Sequence, residues 1–138
     1  MRIERVVVNA SPLIVLLRSG QAELLPQLFS EIVIPEAVWQ EVVMGGHRDR
    51  AALGLQAAPW AKPTPVELSP RVTAWNLGVG ESAVLTFALE RPLYRAMLDD
   101  RAARRCARTL GITLLGTGGM LVLAKRRGLL QSISEGLE

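Results

Sequence analysis

Short apolar runs rich in β-branched residues alternate along the chain with longer stretches of helical periodicity, a pattern typical of a parallel α/β fold. In the first run, Arg5–Val8, three successive valines replace an alternation of apolar and polar residues, which indicates a strand buried on both faces. The predicted strands are Arg5–Val8, Glu31–Ile34, Tyr94–Leu98 and Ile112–Leu115, with Val66–Leu68 as a further edge strand. We therefore expect a three-layer α/β/α sandwich on a central parallel sheet of about four or five strands.

Start and stop signals predict helices between these strands. Pro12 and Pro35 suit first helical turns, where the missing N–H costs no hydrogen bond. Glycines follow several helical stretches, at Gly45–Gly46, Gly111 and Gly128. The predicted helices are Ser11–Ser19, Ala22–Phe29, Pro35–Met44, Val72–Trp75, Glu81–Glu90, Asp100–Leu110 and Thr117–Arg127. Residues 45–70 give the weakest pattern, and we expect one domain, 1–138, without a linker.

Polar residues follow three of the predicted strands. Asn9 and Ser11 come after the first strand, Asp99 and Asp100 after Tyr94–Leu98, and Thr117 after the last. In open parallel sheets ligands bind outside the carboxyl ends of the strands. The same residue types are favoured helix N-caps, so each position alone has a structural explanation. One cap suffices for a helix, however, and Asp100 can supply it, so capping explains Asp99 less readily than the other positions.

Two glutamates lie on predicted apolar helix faces. With about 100° between successive helical residues, Glu41 falls within the apolar stripe of its helix, and Glu81 within that of the next long helix. An unpaired buried carboxylate is costly, so each is expected to pair with an arginine or a metal ion, or, for Glu81, to interact with the helix dipole. Together with Asn9 and the aspartate pair, they can share one pocket. Clustered oxygen ligands without His or Cys suit Mg²⁺ or Mn²⁺, which can activate water in phosphodiester cleavage.

Composition excludes several kinds of site. A single cysteine, Cys106, and a single histidine, His47, rule out a disulfide framework, a Cys-rich zinc site and a site with two imidazoles from one chain. The chain is 49% hydrophobic and 21% charged, a composition typical of a globular protein rather than of a disordered one. The sequence has neither an apolar run of about 18 residues, as a membrane span needs, nor the cleavage pattern of a signal peptide. We therefore expect a cytoplasmic protein with no membrane partner.

Arginine dominates the positive charge. The formal net charge is +3, and 14 of the 16 cationic side chains are Arg. Arg101, Arg104, Arg105 and Arg108 fall within one sector of a predicted helix, opposite small apolar residues. Such a stripe can hold a nucleic-acid backbone beside the carboxylates, receive an acidic partner helix, or be a solvated face. The residues alone leave these three explanations open.

Four segments carry a resemblance to a known family: VVNASPLIVLL, IPEAVWQEVV, GESAVLTFALE and MLDDRAARRCARTLGITLLGTGGML. They resemble the PIN-domain family, and more closely a bacterial and archaeal PIN-like subfamily of toxin-like ribonucleases. The resemblance covers nearly the whole chain except residues 45–70. It implies an α/β/α sandwich, ribonuclease activity that depends on one or two Mg²⁺ or Mn²⁺ ions, a homodimer and, for many members, an antitoxin encoded nearby.

The resemblance also implies a set of site residues. Carried over by position, the acidic set is Asn9, Glu41, Glu81 and Asp99, with Asp100 competing for the last place. Ser11 and Thr117 become polar neighbours of the metal pocket. One position departs from the family, because Asn9 stands where an aspartate is usual. An amide oxygen can still ligate a hard cation, but the site loses one negative charge, so binding of a single metal ion or loss of catalysis becomes an alternative.

Three functional hypotheses follow. The leading one is a metal-dependent RNA endonuclease with Glu41, Glu81 and Asp99 as cation ligands, Asn9 as ligand or water-positioning group, and the arginine helix guiding substrate. The second is a PIN-like module that binds a protein or RNA partner without cleavage, and Asn9 motivates it. The third is a phosphate- or nucleotide-binding protein that uses the loop Gly116–Gly119, although this loop completes neither a Walker pattern nor a GxGxxG fingerprint.

Overall fold

A parallel sheet organises the part of the chain that the computed structural model describes, residues 4–44 and 50–128. Within these residues the sheet has five strands in the order β3-β2-β1-β4-β5, and every neighbouring pair is parallel. The strands are β1 (Glu4–Val8), β2 (Phe29–Pro35), β3 (Pro63–Thr64), β4 (Tyr94–Met97) and β5 (Leu114–Leu115). The α/β class and the parallel sheet predicted from the sequence are confirmed.

Helices connect the strands and pack on the sheet. Those in the described ranges are α1 (Ala10–Arg18), α2 (Leu24–Leu28), α3 (Glu36–Met44), α4 (Arg50–Ala57), α5 (Pro70–Thr73), α6 (Val79–Glu90), α7 (Arg101–Leu110) and α8 (Thr117–Arg126). The core contains fully buried residues of β1 and β4 together with apolar side chains of α1, α3, α6 and α7. No helix within the described ranges has both the length and the apolarity to cross a bilayer.

The prediction of an edge strand at Val66–Leu68 was wrong. The edge strand is Pro63–Thr64, whereas residues 65–69 have no regular secondary structure. Proline lacks an N–H and is tolerated in an edge strand, where one side of the backbone has no strand partner. A two-residue strand carries no periodicity that a sequence pattern can reveal. The predicted helix stop at Gly45–Gly46 and the single histidine, His47, lie outside the described residues.

Other boundaries shift between helix and strand. The helix predicted over Ala22–Phe29 covers only Leu24–Leu28, and β2 begins at Phe29 rather than at Glu31. Phe29 is 1% exposed and pairs with Glu4, the first residue of β1, although the register shifts before the next pair, Arg5 with Glu31. Tertiary contacts therefore extend the strand towards its amino end. The last strand is shorter than predicted, Leu114–Leu115.

The strand order places the ends of β1 and β4 side by side. The chain runs from β1 outward through β2 to β3 and then returns to β4 on the other side of β1. Such a reversal creates a crevice at the carboxyl ends of the two strands that flank it. Val8 is paired with Met97, and the N–H of Asn9 donates to the Met97 carbonyl at 2.9 Å. Asn9 and Asp99 therefore leave neighbouring strands at the same edge of the sheet.

Candidate nucleic-acid and metal site

The first half of the site lies where β1 ends. Asn9 is the N-cap residue of α1 and is 5% exposed, but its side chain makes no capping hydrogen bond. Glu41 approaches from α3 and Gly80 from the first turn of α6. A Cβ built on Gly80 would lie 3.1 Å from Glu41 Oε1 and 3.5 Å from Asn9 Oδ1. The two side-chain oxygens therefore converge on the backbone at Gly80, where a Cβ would force Glu41 to shift by a few tenths of an ångström.

The second half of the site lies where β4 ends. Both oxygens of the Asp99 carboxylate accept hydrogen bonds from Thr117, Oδ1 from the backbone N–H at 3.1 Å and Oδ2 from the hydroxyl at 2.6 Å. Thr117 is buried and opens α8, so the carboxylate also faces the positive end of a helix. A phosphate bound by the loop Gly116–Gly119 would need the backbone N–H of Thr117 as a donor. In this structure that N–H donates to Asp99 instead.

A guanidinium completes this second half. Arg104 Nη1 donates to the Leu98 carbonyl at 2.9 Å. A Cβ built on Gly116 would lie 3.1 Å from Asp99 Oδ1 and 3.5 Å from Arg104 Nη1. Carboxylate and guanidinium thus lie on the same side of Gly116, and glycine provides the space for both.

The adjacent aspartates have different structural tasks. Asp100 is the N-cap residue of α7, and its Oδ2 accepts the Ala103 N–H at 2.9 Å. The expectation that Asp100 caps the helix is confirmed. Asp99 accepts instead from Thr117, and of the two aspartates it is the one that lines the depression beside the arginines of α7.

The burial predicted for the two glutamates is not what the structure shows. Glu41 is exposed, because α3 buries a narrow stripe centred on Val38 and Val42, and Glu41 lies at the edge of that stripe. Glu81 is partly exposed and folds back over Gly78, whose Cβ would lie 2.5 Å from Glu81 Oε1. It stands in the first turn of α6, where a carboxylate interacts favourably with the helix dipole.

The arginine stripe on α7 is confirmed. The helix buries Ala103, Cys106 and Ala107 and turns its arginines to the other side. A surface depression of about 410 Å³ is lined by Asp99, Arg101, Arg104, Arg105 and Arg108. None of these arginines forms an ion pair within residues 4–44 and 50–128. Burial raises the pKa of the Cys106 thiol, in keeping with its predicted role as a small hydrophobic residue.

The donor set has the chemistry of a site for a hard cation. Asn9, Glu41 and Asp99 offer amide and carboxylate oxygens, the ligands that Mg²⁺ and Mn²⁺ prefer. Among the residues described, however, no three carboxylate, Cys or His groups lie close enough together to hold one ion. Asn9 and Glu41 form one half of the donor set, over Gly80, and Asp99 with Thr117 forms the other. This arrangement fits an ion of the Mg²⁺ type, which is often held by one or two carboxylates, water and substrate phosphates.

Sequence reasoning missed the part that two glycines and one carbonyl play in the site. Gly80 and Gly116 let polar side chains approach the backbone closely, and the Leu98 carbonyl anchors Arg104. A signal for Gly80 does exist in the sequence. Glycine costs about 1 kcal/mol relative to alanine inside a helix, so its presence in a helical stretch suggests a packing or functional reason. The Leu98 carbonyl is a backbone group and leaves no such signal.

Comparison with known proteins identifies one family. The chain matches a family model described as a PIN domain over residues 5–138, which confirms the resemblance carried by the four sequence segments. Neither a curated protein nor a solved structure matches the chain. A PIN domain is generally a nuclease fold.

Proposed function

The chain belongs to the PIN-domain family, and from this premise we propose that it is a metal-dependent RNA endonuclease. The observation that carries the proposal is the convergence of Asn9 and Glu41 on Gly80 at the end of β1, beside Asp99 and Arg104 at the end of β4. This edge of the sheet continues into the arginine-lined depression. Groups that can bind a cation thus adjoin groups that can bind phosphate.

Glu41 and Asp99 are the proposed cation ligands, and Asn9 assists as a neutral oxygen ligand or by orienting a water molecule. Glu81 and Asp100 were the other ligand candidates, but one folds over Gly78 and the other caps α7. A bound Mg²⁺ or Mn²⁺ would supply an activated water and charge stabilisation at the leaving oxygen. The protein itself orients the Asp99 carboxylate through Thr117, which leaves that group little rotational freedom to lose when substrate binds.

The arginines would bind the backbone of the substrate. Arg101, Arg105 and Arg108 are exposed on α7 and have no carboxylate partner among the described residues, so a phosphate does not have to displace one. Contacts of this kind attract and position a strand without reading its sequence. RNA as the substrate follows from the ribonuclease activity that the family resemblance implies. Ser11 is exposed in the first turn of α1, where it can contact the same strand.

A cleavage assay tests the proposal. A 5′-labelled single-stranded RNA of mixed sequence is incubated with the protein in Mn²⁺, in Mg²⁺ and in EDTA. We expect cleavage in either metal and none in EDTA, with a loss on the order of 10³-fold in Glu41→Gln. Glu36→Gln is the matched control, because Glu36 is exposed on the same helix and lines a different cavity. Equal cleavage by the Glu41→Gln and Glu36→Gln variants would overturn the assignment.

A binding module without cleavage is the second candidate. Two observations favour it, namely the amide of Asn9 in place of a carboxylate and the lack of a cluster of three metal-ligating groups among the described residues. The Asn9→Asp variant discriminates between the two functions. Cleavage that appears only in this variant supports the binding module, whereas cleavage by the natural chain supports the nuclease.

Toxin activity, an antitoxin partner and a homodimer extend the proposal. If cleavage of cellular RNA makes the protein toxic, its induction in a bacterial host should stop growth, and Asp99→Asn should relieve the arrest. Co-expression of a protein encoded beside it should restore growth with the natural chain. Light scattering of the purified protein should give the mass of two chains. Unimpaired growth with active, soluble protein would contradict the toxin assignment alone.

A further inference from the structure

The four arginines of α7 are not equivalent. Arg104 is partly buried, whereas Arg101, Arg105 and Arg108 are exposed. Within residues 4–44 and 50–128, Arg104 is the one of the four whose guanidinium is anchored, by the 2.9 Å hydrogen bond from Nη1 to the Leu98 carbonyl. This carbonyl belongs to the residue between β4 and Asp99, so the anchor fixes the guanidinium to the backbone that also carries the carboxylate.

An anchored guanidinium is suited to hold a single phosphate in place. The group has five N–H donors in a planar fork, and one hydrogen bond to Leu98 leaves the remaining donors for a ligand. Because the side chain is already ordered, less conformational entropy is lost on binding than for the exposed arginines. The exposed arginines act mainly through long-range attraction, which depends on salt.

The position beside Asp99 determines which phosphate is held. Asp99 Oδ1 and Arg104 Nη1 lie 3.1 Å and 3.5 Å from the same point over Gly116, yet they form no ion pair among the residues described. A phosphate that enters next to Asp99 meets a negative carboxylate, and the adjacent guanidinium offsets that repulsion. Without this guanidinium, the Asp99 carboxylate would repel the backbone of a nucleic acid.

We propose that Arg104 fixes one phosphate of the bound strand directly beside Asp99, while Arg101, Arg105 and Arg108 only attract the strand. This assignment rests on the proposed function, because the phosphate held beside Asp99 is the one that would be cut. It makes Arg104 a substrate-positioning residue and separates it from the other arginines of the same helix.

A double-mutant cycle in EDTA tests the assignment without relying on cleavage. Binding of a fluorescent single-stranded RNA of mixed sequence is measured by anisotropy for the natural chain, Arg104→Ala, Asp99→Asn and the double variant. Arg104→Ala should weaken binding about tenfold. Asp99→Asn should strengthen binding about threefold in the natural background by removing repulsion, and should give no gain in the Arg104→Ala background, because the phosphate no longer lies beside Asp99.

The matched control replaces Arg105 in the same cycle. Here Asp99→Asn should keep its full gain, since Arg105 is exposed and attracts the strand without fixing a phosphate beside Asp99. Arg104→Lys guards against a purely structural effect, because lysine retains the charge and a donor for the Leu98 carbonyl but lacks the fork. It should melt at the temperature of the natural chain and still bind RNA about threefold more weakly.

The outcomes are distinct. An equal gain from Asp99→Asn in the Arg104→Ala and Arg105→Ala backgrounds overturns the assignment, and so does full binding by Arg104→Lys. Failure of the proposed function is seen separately, as RNA that binds but stays uncut in Mn²⁺ and Mg²⁺. Such a result would leave the cycle, measured in EDTA, as a test of phosphate positioning in a binding module.

Discussion

The ends of β1 and β4 are neighbours at one edge of the sheet, yet they hold their polar groups differently. At the end of β1, a buried amide, Asn9, lies with Glu41 over Gly80. At the end of β4, an exposed carboxylate, Asp99, is held through both oxygens by Thr117, with a guanidinium beside it.

The difference shows two ways to place acidic groups close together. Like charges in one crevice repel each other unless a cation or a positive group is present. The β1 end limits the repulsion by using a neutral amide next to Glu41. The β4 end keeps its carboxylate and offsets the charge with Arg104 and the amino end of α8. The metal-free fold is therefore compatible with both halves of the site.

Replacing the two adjacent aspartates one at a time should produce the largest difference in cleavage. We expect Asp99→Asn to lower the rate of RNA cleavage on the order of 10³-fold, with little change in melting temperature, because its charge serves the site. Asp100→Asn should retain cleavage, since asparagine also caps helices. Asp100→Ala should lower the free energy of unfolding by about 1 kcal/mol through loss of the cap on α7. Comparable cleavage by Asp99→Asn and Asp100→Asn would remove the distinction between them.

The next test gives the β1 end a carboxylate at position 9, comparable to Asp99 at the β4 end. Asn9→Asp places a second negative charge beside Glu41 at a buried position. The melting temperature in EDTA should therefore fall, and Mn²⁺ should bind about tenfold more tightly because the site gains a charged ligand. Isothermal titration and thermal melts with and without Mn²⁺ measure both effects. A variant that is destabilised equally with and without Mn²⁺ would show that position 9 does not face the ion.

Removing one of the two hydrogen bonds from Thr117 to Asp99 should have a smaller effect on cleavage. Thr117→Val keeps the shape of the buried side chain but removes the hydroxyl that donates to Oδ2. We expect cleavage to fall about fivefold and stability by about 1 kcal/mol, the net value of one hydrogen bond. Thr117→Ser is the control, and it should retain cleavage because serine keeps the donor. Similar losses in both variants would point to packing rather than to the hydroxyl.

The Gly116→Ala variant, which adds a methyl group beside Asp99, should have a smaller effect on cleavage. A methyl group there would lie 3.1 Å from Asp99 Oδ1, so the carboxylate or Arg104 must shift by a few tenths of an ångström. Cleavage should drop about threefold while the free energy of unfolding changes by less than about 1 kcal/mol. Gly118→Ala is the matched control, since no atom lies within 4 Å of a Cβ at that position. Equal activity of the two variants would contradict the close approach.

The smallest effect concerns the exposed arginines. Arg108→Ala should reduce the slope of log affinity against log salt by about 0.7, the contribution of one phosphate contact to a single strand. Arg71→Ala, on α5 and outside the depression, should leave the slope unchanged. Anisotropy titrations at several salt concentrations provide the measurement. An unchanged slope in Arg108→Ala would place the strand elsewhere.

Strong local signals made part of the fold predictable from the sequence. Helix α7 combines four arginines on one side, small apolar residues on the other, the Asp100 cap and Gly111 in the left-handed conformation with φ 74°. Each of these features agrees with the others, and the helix was predicted to within one residue. The strands β1 and β4 were equally clear because their apolar runs are buried.

The arrangement within the site was less predictable. The ends of β1 and β4 could be inferred, because parallel strands bring their carboxyl ends to one edge. The exposure of Glu41 and Glu81 could not be inferred. Helix α6 is buried on almost every side from Ser82 to Ala88, so its apolar residues define no single face. The pairing of Asp99 with Thr117 depends on where α8 begins relative to β4, a tertiary relation that no local pattern contains.

The most direct test of the account is the location of Mn²⁺ in crystals that also contain a short single-stranded RNA with a non-cleavable backbone. Anomalous scattering identifies the ion independently of any assay. We expect a Mn²⁺ peak in contact with both Glu41 and Asp99, with a phosphate oxygen as a further ligand. A peak that contacts neither side chain, or a bound RNA with no ion beside these residues, would contradict it.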